Sequence, residues 1–395
     1  MSITVISIII LLVILSFIAY INFDYSSKYK KTEKDLYYEA LDLLLTGKLK
    51  EAYATLLSLI KNDTSNVKAY LKLGQVLREI GNPERALKIH RSLLIRKDLT
   101  TYEKIELLKN IALDYKHIKR INDSIIQCLD ILKIEKKNEW ALLELIDLYK
   151  SVDDWNSSQK YLERYQKITG NLDSRILGLY LIKQGQIEFD KKDFIRARSL
   201  FEEGLNMHNE LGICYKLIGD TYSEESEIEY QKSTEDNDEE SIERAKELLS
   251  KALPMWVKYA QHKPSHSSNV IHLIKDSLFA LDRYSELEHI LNDLVERDSN
   301  NIAALITLAD YYSLQGENEK SVNLLDSLKG KEKESILAGM VRLRLQFNIS
   351  ESVTDEMKNE FNNLTNEMSK TGQGHSSTLQ DEDLEWLSDN EYSEE

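Results

Sequence analysis

Residues 67–98, VKAYLKLGQVLREIGNPERALKIHRSLLIRKD, carry a pattern that returns along the chain at a spacing of about 34 residues. Tyr70, Leu73, Gly74 and Leu77 fall at helical spacing, then Gly81 and Pro83 interrupt, then Ala86 and Leu93 resume. The pattern predicts two short antiparallel helices. Gly74 lets the first approach the second, Gly81 makes the turn, and Ala86 sits where the second crosses the first with no room for a larger side chain. One such hairpin cannot bury its apolar face alone, so it demands neighbours of the same kind.

The neighbours are present. Ala40, Gly47 and Ala52 occupy the same register one unit earlier, and Ala112, Tyr115 and Ser124 one unit later. Leu142, Leu145, Ile146, Tyr149, Trp155 and Ser158 follow, then Gly185, Phe194, Ala197 and Phe201. Gly219 and Tyr222 open the next unit, which Ala245 and Leu249 are expected to complete after an insert of about 14 residues. Leu287 and Leu291 mark a weaker copy, and Leu308, Ala309, Tyr312, Gly316 and Ser321 a better one; helices near 332–346 and 351–369 should close the stack. This is the register of the tetratricopeptide repeat. The expected fold is all-α, a superhelical tetratricopeptide-repeat solenoid over residues 36–370. Three prolines, none inside a predicted helix, agree with it.

Residues 3–21, ITVISIIILLVILSFIAYI, hold no charge, and at about 1.5 Å per residue they nearly span a bilayer core of about 30 Å. Residues 1–23 therefore read as a transmembrane anchor. A secretory signal peptide is the alternative, but no Lys or Arg precedes the run and no A-x-A site follows it. Lys28, Lys30, Lys31 and Lys34 make residues 24–35 a basic juxtamembrane segment, which places the repeats on the cytoplasmic side of a single-pass membrane protein.

The formal net charge of −16 argues against nucleic acid as the ligand. Cys128 and Cys214 fall on apolar positions of different repeats and are expected to be reduced core thiols. No CxxC spacing occurs, so no metal or cofactor is expected; nor does a GxSxG, a phosphate-cradling glycine loop or a Cys/His pair point to catalysis. His262, His266 and His272, near Pro264, read as surface histidines. Residues 223–243 form an acidic insert that either lengthens the helices of its repeat or loops out between them. Residues 371–395 hold eight acidic side chains and no Lys or Arg, the composition of a disordered tail, with Leu384, Trp386 and Leu387 as an apolar motif inside it.

Side chains outside the packing register of the first helices should line a groove for protein partners. Those are Lys68, Lys72, Gln75 and Arg78, then Lys109, Asn110, Lys116 and His117, then Trp140, Asp147 and Lys150. They predict a cationic strip that attracts carboxylates and hydrogen-bonds a bound peptide, and onto which the acidic tail could fold back.

Over residues 36–165 the chain resembles the lipopolysaccharide assembly protein B family. YEALDLLLTGKLKEAYATLLSLIKNDTSNVKAYLKLGQVLREIGNPERALKIHRSLL looks like that family's first two repeats, and LTTYEKIELLKNIALDYKHIKRINDSI like its third, including the insertion beginning at Leu99. The resemblance implies an inner-membrane adaptor with a cytoplasmic repeat array. It would present the deacetylase of lipid A synthesis to a membrane-bound AAA+ protease. The family also has a rubredoxin-like module with two CxxC pairs; this chain has no such cysteines, and no metal ligand carries over. The alternative for the same architecture is a membrane receptor or assembly factor that captures precursor proteins. An enzyme is not expected.

Overall fold

The computed structural model describes residues 11, 13–18, 31–236, 238–326, 336–349, 353–370 and 382–389. Among them the chain is helical, with two short 3-10 turns and no strand. Most of the expected membrane anchor (1–10, 12, 19–23) and residues 24–30 of the basic segment lie outside the described residues. Residues 13–18 are helical and exposed. No described helix is long and apolar enough to cross a membrane.

The chain divides into two compact units, residues 1–154 and 155–395. The first unit holds α1 (Glu33–Leu45), α2 (Leu49–Asn62), α3 (Val67–Glu79), α4 (Pro83–Leu93), α5 (Thr101–His117), α6 (Ile121–Ile134) and α7 (Glu139–Lys150). The second holds α8 (Trp155–Thr169), α9 (Ser174–Asp190), α10 (Phe194–Met207), α11 (Ile213–Asp236), α12 (Glu239–His262), α13 (Ser268–Ala280) and α14 (Leu287–Arg297). It continues with α15 (Ile302–Leu314), α16 (Asn318–Asp326), α17 (Ile336–Ile349), α18 (Asp355–Lys370) and α19 (Glu382–Asp389).

Within each unit the helices pack as successive hairpins, each touching its neighbours in sequence. Among the described residues, seven helix ends close in the same way. Gly47, Gly81, Lys119, Asp153, Lys192, Asp282 and Gly316 all take positive φ, and the next residue's amide donates to the carbonyl five back, as Asn82 does to Leu77 at 2.8 Å and Asp193 to Glu188 at 2.9 Å. This left-handed closure turns the chain sharply and satisfies the last carbonyls of the helix. Asparagine, threonine or aspartate side chains cap the starts: Asn66, Thr100, Asn138, Asp173 and Asn301 each accept from the amide three residues on.

Close crossings follow from the small residues. An added Cβ at Gly74 would stand 2.2 Å from the His90 ring, and one at Gly185 2.4 Å from Phe201. Ala86 and Ala197 are fully buried. Where the crossing residue is serine, its hydroxyl donates to the facing helix: Ser124 Oγ to the Ala112 carbonyl at 2.8 Å, Ser321 Oγ to that of Ala309 at 2.6 Å.

The acidic insert lengthens both helices of its hairpin, giving α11 and α12 24 residues each. Its register corrects the sequence expectation. Gly219 faces the Trp256 indole, which an added Cβ would meet at 2.6 Å, thirty-seven residues on, where Gly185 faces Phe201 sixteen residues on; the insertion is therefore 21 residues. Ala252 and Trp256, rather than Ala245 and Leu249, take the places of Ala197 and Phe201. Ala245 packs higher in the hairpin, its carbonyl accepting from Ser226 Oγ at 2.7 Å. Pro254 is a second correction, since it lies inside α12. It removes one backbone hydrogen bond, and burial of Ala252, Leu253 and Trp256 on either side holds the helix continuous.

Cys128 and Cys214 are buried and free, and burial pushes both thiols up to about 12. At pH 8 neither carries appreciable thiolate, so alkylation by iodoacetamide should follow global unfolding and be absent from the folded protein. The turns give a prediction with opposite signs. Gly81 has nothing within 4 Å of an added Cβ, yet its φ of +89° strains any other residue, so Gly81→Ala should cost about 1 kcal/mol in urea denaturation. Lys192→Gly, at φ +63°, should stabilise by up to about 1 kcal/mol.

Candidate functional site

The expected groove residues lie on the first helices of the hairpins in unit one: α3, α5 and α7. Lys68 is exposed near the start of α3 and faces the beginning of α5. There the Thr100 amide and hydroxyl hold the Glu103 carboxyl below its usual range, with Lys68 adding to the effect. Lys72 Nζ donates to Gln75 Oε1 at 2.8 Å, and Gln75 Nε2 to Glu79 Oε1 at 2.9 Å, a chain along one face of α3.

On α5, Lys109 pairs with Glu106 at 2.9 Å and also lies 5.5 Å from the centroid of the Trp140 ring. That is a cation–π contact from α5 to α7, worth about 0.5–1 kcal/mol at a partly exposed site. Asn110 donates to the Glu106 carbonyl at 2.9 Å. Lys116 pairs with Glu144 of α7 at 2.6 Å. His117 and Asp147 are exposed, and Lys150 is half-buried near the end of α7. The surface is thus of mixed charge rather than cationic. Glu79, Glu106 and Glu144 interleave with the lysines, and spacing three residues apart on α5 (Glu106, Lys109) was the signal for it.

Arg78 behaves differently from the rest. It is 8% exposed, and its Nη1 meets Asp114 Oδ1 at 2.6 Å. The other carboxylate oxygen of Asp114 meets His90 Nδ1 at 2.5 Å, and His90 Nε2 faces the Leu71 carbonyl at 3.2 Å. Arg78 also donates to Asn110, to its backbone carbonyl and to Oδ1, both at 3.4 Å. Asp114 and His90 are fully buried. This network ties α3 and α4 to α5, so Arg78 holds two repeats together. Sequence reasoning missed both partners, although an aspartate at a core position between Ile111 and Tyr115 marks them.

The tail motif lies in unit two. Residues 382–389, expected within a disordered tail, form α19, on which Leu384, Trp386 and Leu387 all sit. Asp383 is buried against Arg175 and Lys263, at 2.6 and 3.3 Å. Trp386 lies 6.2 Å from the Trp155 ring and 6.0 Å from that of Tyr180, and Leu387 is 2% exposed in the core. Composition predicted disorder because it counts the charges of the segment alone; the cations and rings that order it lie far away in sequence. These contacts of α19 lie within unit two; the rest of the tail, 371–381 and 390–395, lies outside the described residues. His262 is exposed, its ring tilted at 49° to that of Tyr215 with centroids 5.8 Å apart, and its Nε2 lies 3.3 Å from the Asn209 carbonyl. Among the described residues no group of three His, Cys, Asp or Glu could hold a metal ion.

Left-handed turns, small-residue crossings and capped first helices define stacked hairpins of tetratricopeptide type. No family model matches the chain. Part of it is similar to lipopolysaccharide assembly protein B of Escherichia coli K12 and of Escherichia coli O157:H7, each 23% identical over 222 residues. The match covers 55% of this chain and 56% of the relative, so the chain spans about half the length of the curated relatives it matches. A tetratricopeptide repeat protein from Parabacteroides merdae aligns over 80% of this chain and 98% of its own, with 11% identity and a TM-score of 0.34. MamA aligns over 56% and 96%, with 16% identity and a TM-score of 0.26.

Removing the Asp114 carboxylate leaves the buried Arg78 guanidinium without its counter-charge and His90 Nδ1 without its partner. Asp114→Ala should destabilise unit one by about 3–5 kcal/mol in denaturant titration. Replacing the set together, with Arg78→Met, His90→Leu and Asp114→Leu, should recover most of that loss.

Proposed function

We propose that the chain is a protein–protein interaction scaffold, tethered to the inner membrane by residues 3–21 with its repeats facing the cytoplasm. In this reading it serves lipopolysaccharide assembly, holding an enzyme of lipid A synthesis beside a membrane-bound protease. The observation that carries the scaffold is the face of α3, α5 and α7. Lys68 is exposed, Lys72, Gln75, Lys109, Asn110 and Trp140 are half-buried, and together they offer donors, acceptors and a ring. Such a face suits an extended or helical peptide carrying charges of both signs. The likeness to lipopolysaccharide assembly protein B supports the pathway. Anchoring would confine the scaffold to two dimensions and raise its effective concentration near membrane partners.

The experiment is affinity capture of the full-length protein from its own membranes. Lipid A deacetylase and a membrane protease should co-purify, and the combination Lys109→Glu with Trp140→Ala should lose them while thermal stability stays within about 1 kcal/mol of the parent. Retention of both partners would move the site off this face. Recovery of the full-length protein in the soluble fraction after alkaline extraction would remove the anchor while leaving the scaffold standing.

A further inference from the structure

Helix α19 is eight residues long and carries Glu382, Asp383, Glu385 and Asp389. An isolated helix of that length is marginal in water, so its order comes from the surface beneath it. That surface is assembled from three places in unit two. Trp155 opens α8, Arg175 and Tyr180 lie on α9, and Lys263 follows α12.

The recognition has two parts with fixed spacing. Asp383 is held from both sides: Arg175 Nη2 and Nε lie 2.6 and 3.1 Å from Oδ1, and Lys263 Nζ 3.3 Å from Oδ2. Three and four residues on, one helical turn away, Trp386 and Leu387 meet apolar partners. Trp155 and Tyr180, themselves edge-to-face at 5.1 Å, form a shelf for the Trp386 ring, and Leu387 enters the core beside them. A carboxylate between two cations, followed by a ring and a branched aliphatic on the same helix face, is a compact recognition code. The hairpins from α9 to α18 pair with one another in sequence and do not need α19 to connect them.

We propose that this surface is a recognition site for short acidic helices of partner proteins bearing Asp-x-x-Trp-Leu, and that α19 is its tethered resident occupant. A partner helix of that chemistry displaces α19 and takes over the Arg175–Lys263 clamp and the Trp155–Tyr180 shelf. The site lies wholly within unit two and is independent of the strip on α3, α5 and α7 and of membrane attachment.

The test is fluorescence anisotropy of a labelled peptide of residues 380–391, titrated with the full-length protein. The parent protein should bind it weakly, because the tethered helix competes at an effective concentration on the order of mM. Asp383→Lys repels α19 from the two cations and leaves its apolar side chains in place, so it should tighten peptide binding about tenfold or more. Adding Arg175→Glu to that variant should abolish binding, and a scrambled peptide should not bind at all. Circular dichroism melting checks that the hairpins persist; where Asp383→Lys unfolds them, Trp386→Ala takes its place. Failure of the peptide to bind more tightly to the folded variant, or equal binding with Arg175→Glu, overturns the proposal. Unfolding of both variants overturns it as well, because α19 is then an integral part of the core.

Discussion

Everything in this fold depends on how closely the two helices of a hairpin can approach. The limit is set by Gly74 beneath His90, by Gly185 beneath Phe201, and by Ala86 and Ala197 at the crossings. Ser124 and Ser321 show the distance directly, since a hydroxyl on one helix reaches a backbone carbonyl on the other. At that separation the large side chains of each hairpin have nowhere to go except against the next hairpin. Stacking is therefore a consequence of the crossing rather than an additional design. The crossing also decides which face of each first helix remains for other work, and the side chains of α3, α5 and α7 considered for partners are those left over.

Local signals were the legible ones. Glycine or alanine at the crossing, the residue that closes the turn, and Asn or Thr before a first helix each act within a few residues, and the chain displays them in order. Lys119, Asp153, Lys192 and Asp282 close turns as Gly81 does, but nothing in those side chains announces a left-handed backbone; only their place in the register does. The insert was misplaced for an instructive reason. Ala245 and Ala252 are seven residues apart, almost two turns, and share one face of α12, so periodicity cannot choose between them. The Trp256 ring lying against Gly219 chooses.

Pairings across repeats were not legible. A helical-face argument put Arg78 in the groove and not in its buried pair, because Asp114 stands thirty-six residues further on. The strip looked cationic because its lysines were read without Glu106 and Glu144, which neutralise Lys109 and Lys116. The tail shows the same limit over a longer span. An acidic segment reads as disordered until Arg175 and Lys263 are known to meet it, more than a hundred residues away in sequence. Proximity that tertiary structure creates has no imprint on local composition.

The long hairpin of α11 and α12 has a consequence for how such a chain can change length. Its extra 21 residues are close to six helical turns, shared by two helices, so each gains about three whole turns. Whole turns added to both arms return the chain to the stack with its buried stripe still pointing inward. Growth in steps near seven residues, one turn per arm, is thus silent to the layers on either side. A step of three or four would rotate the returning arm and expose its apolar edge. The overhang marks a place where the molecule tolerates additions only in fixed increments.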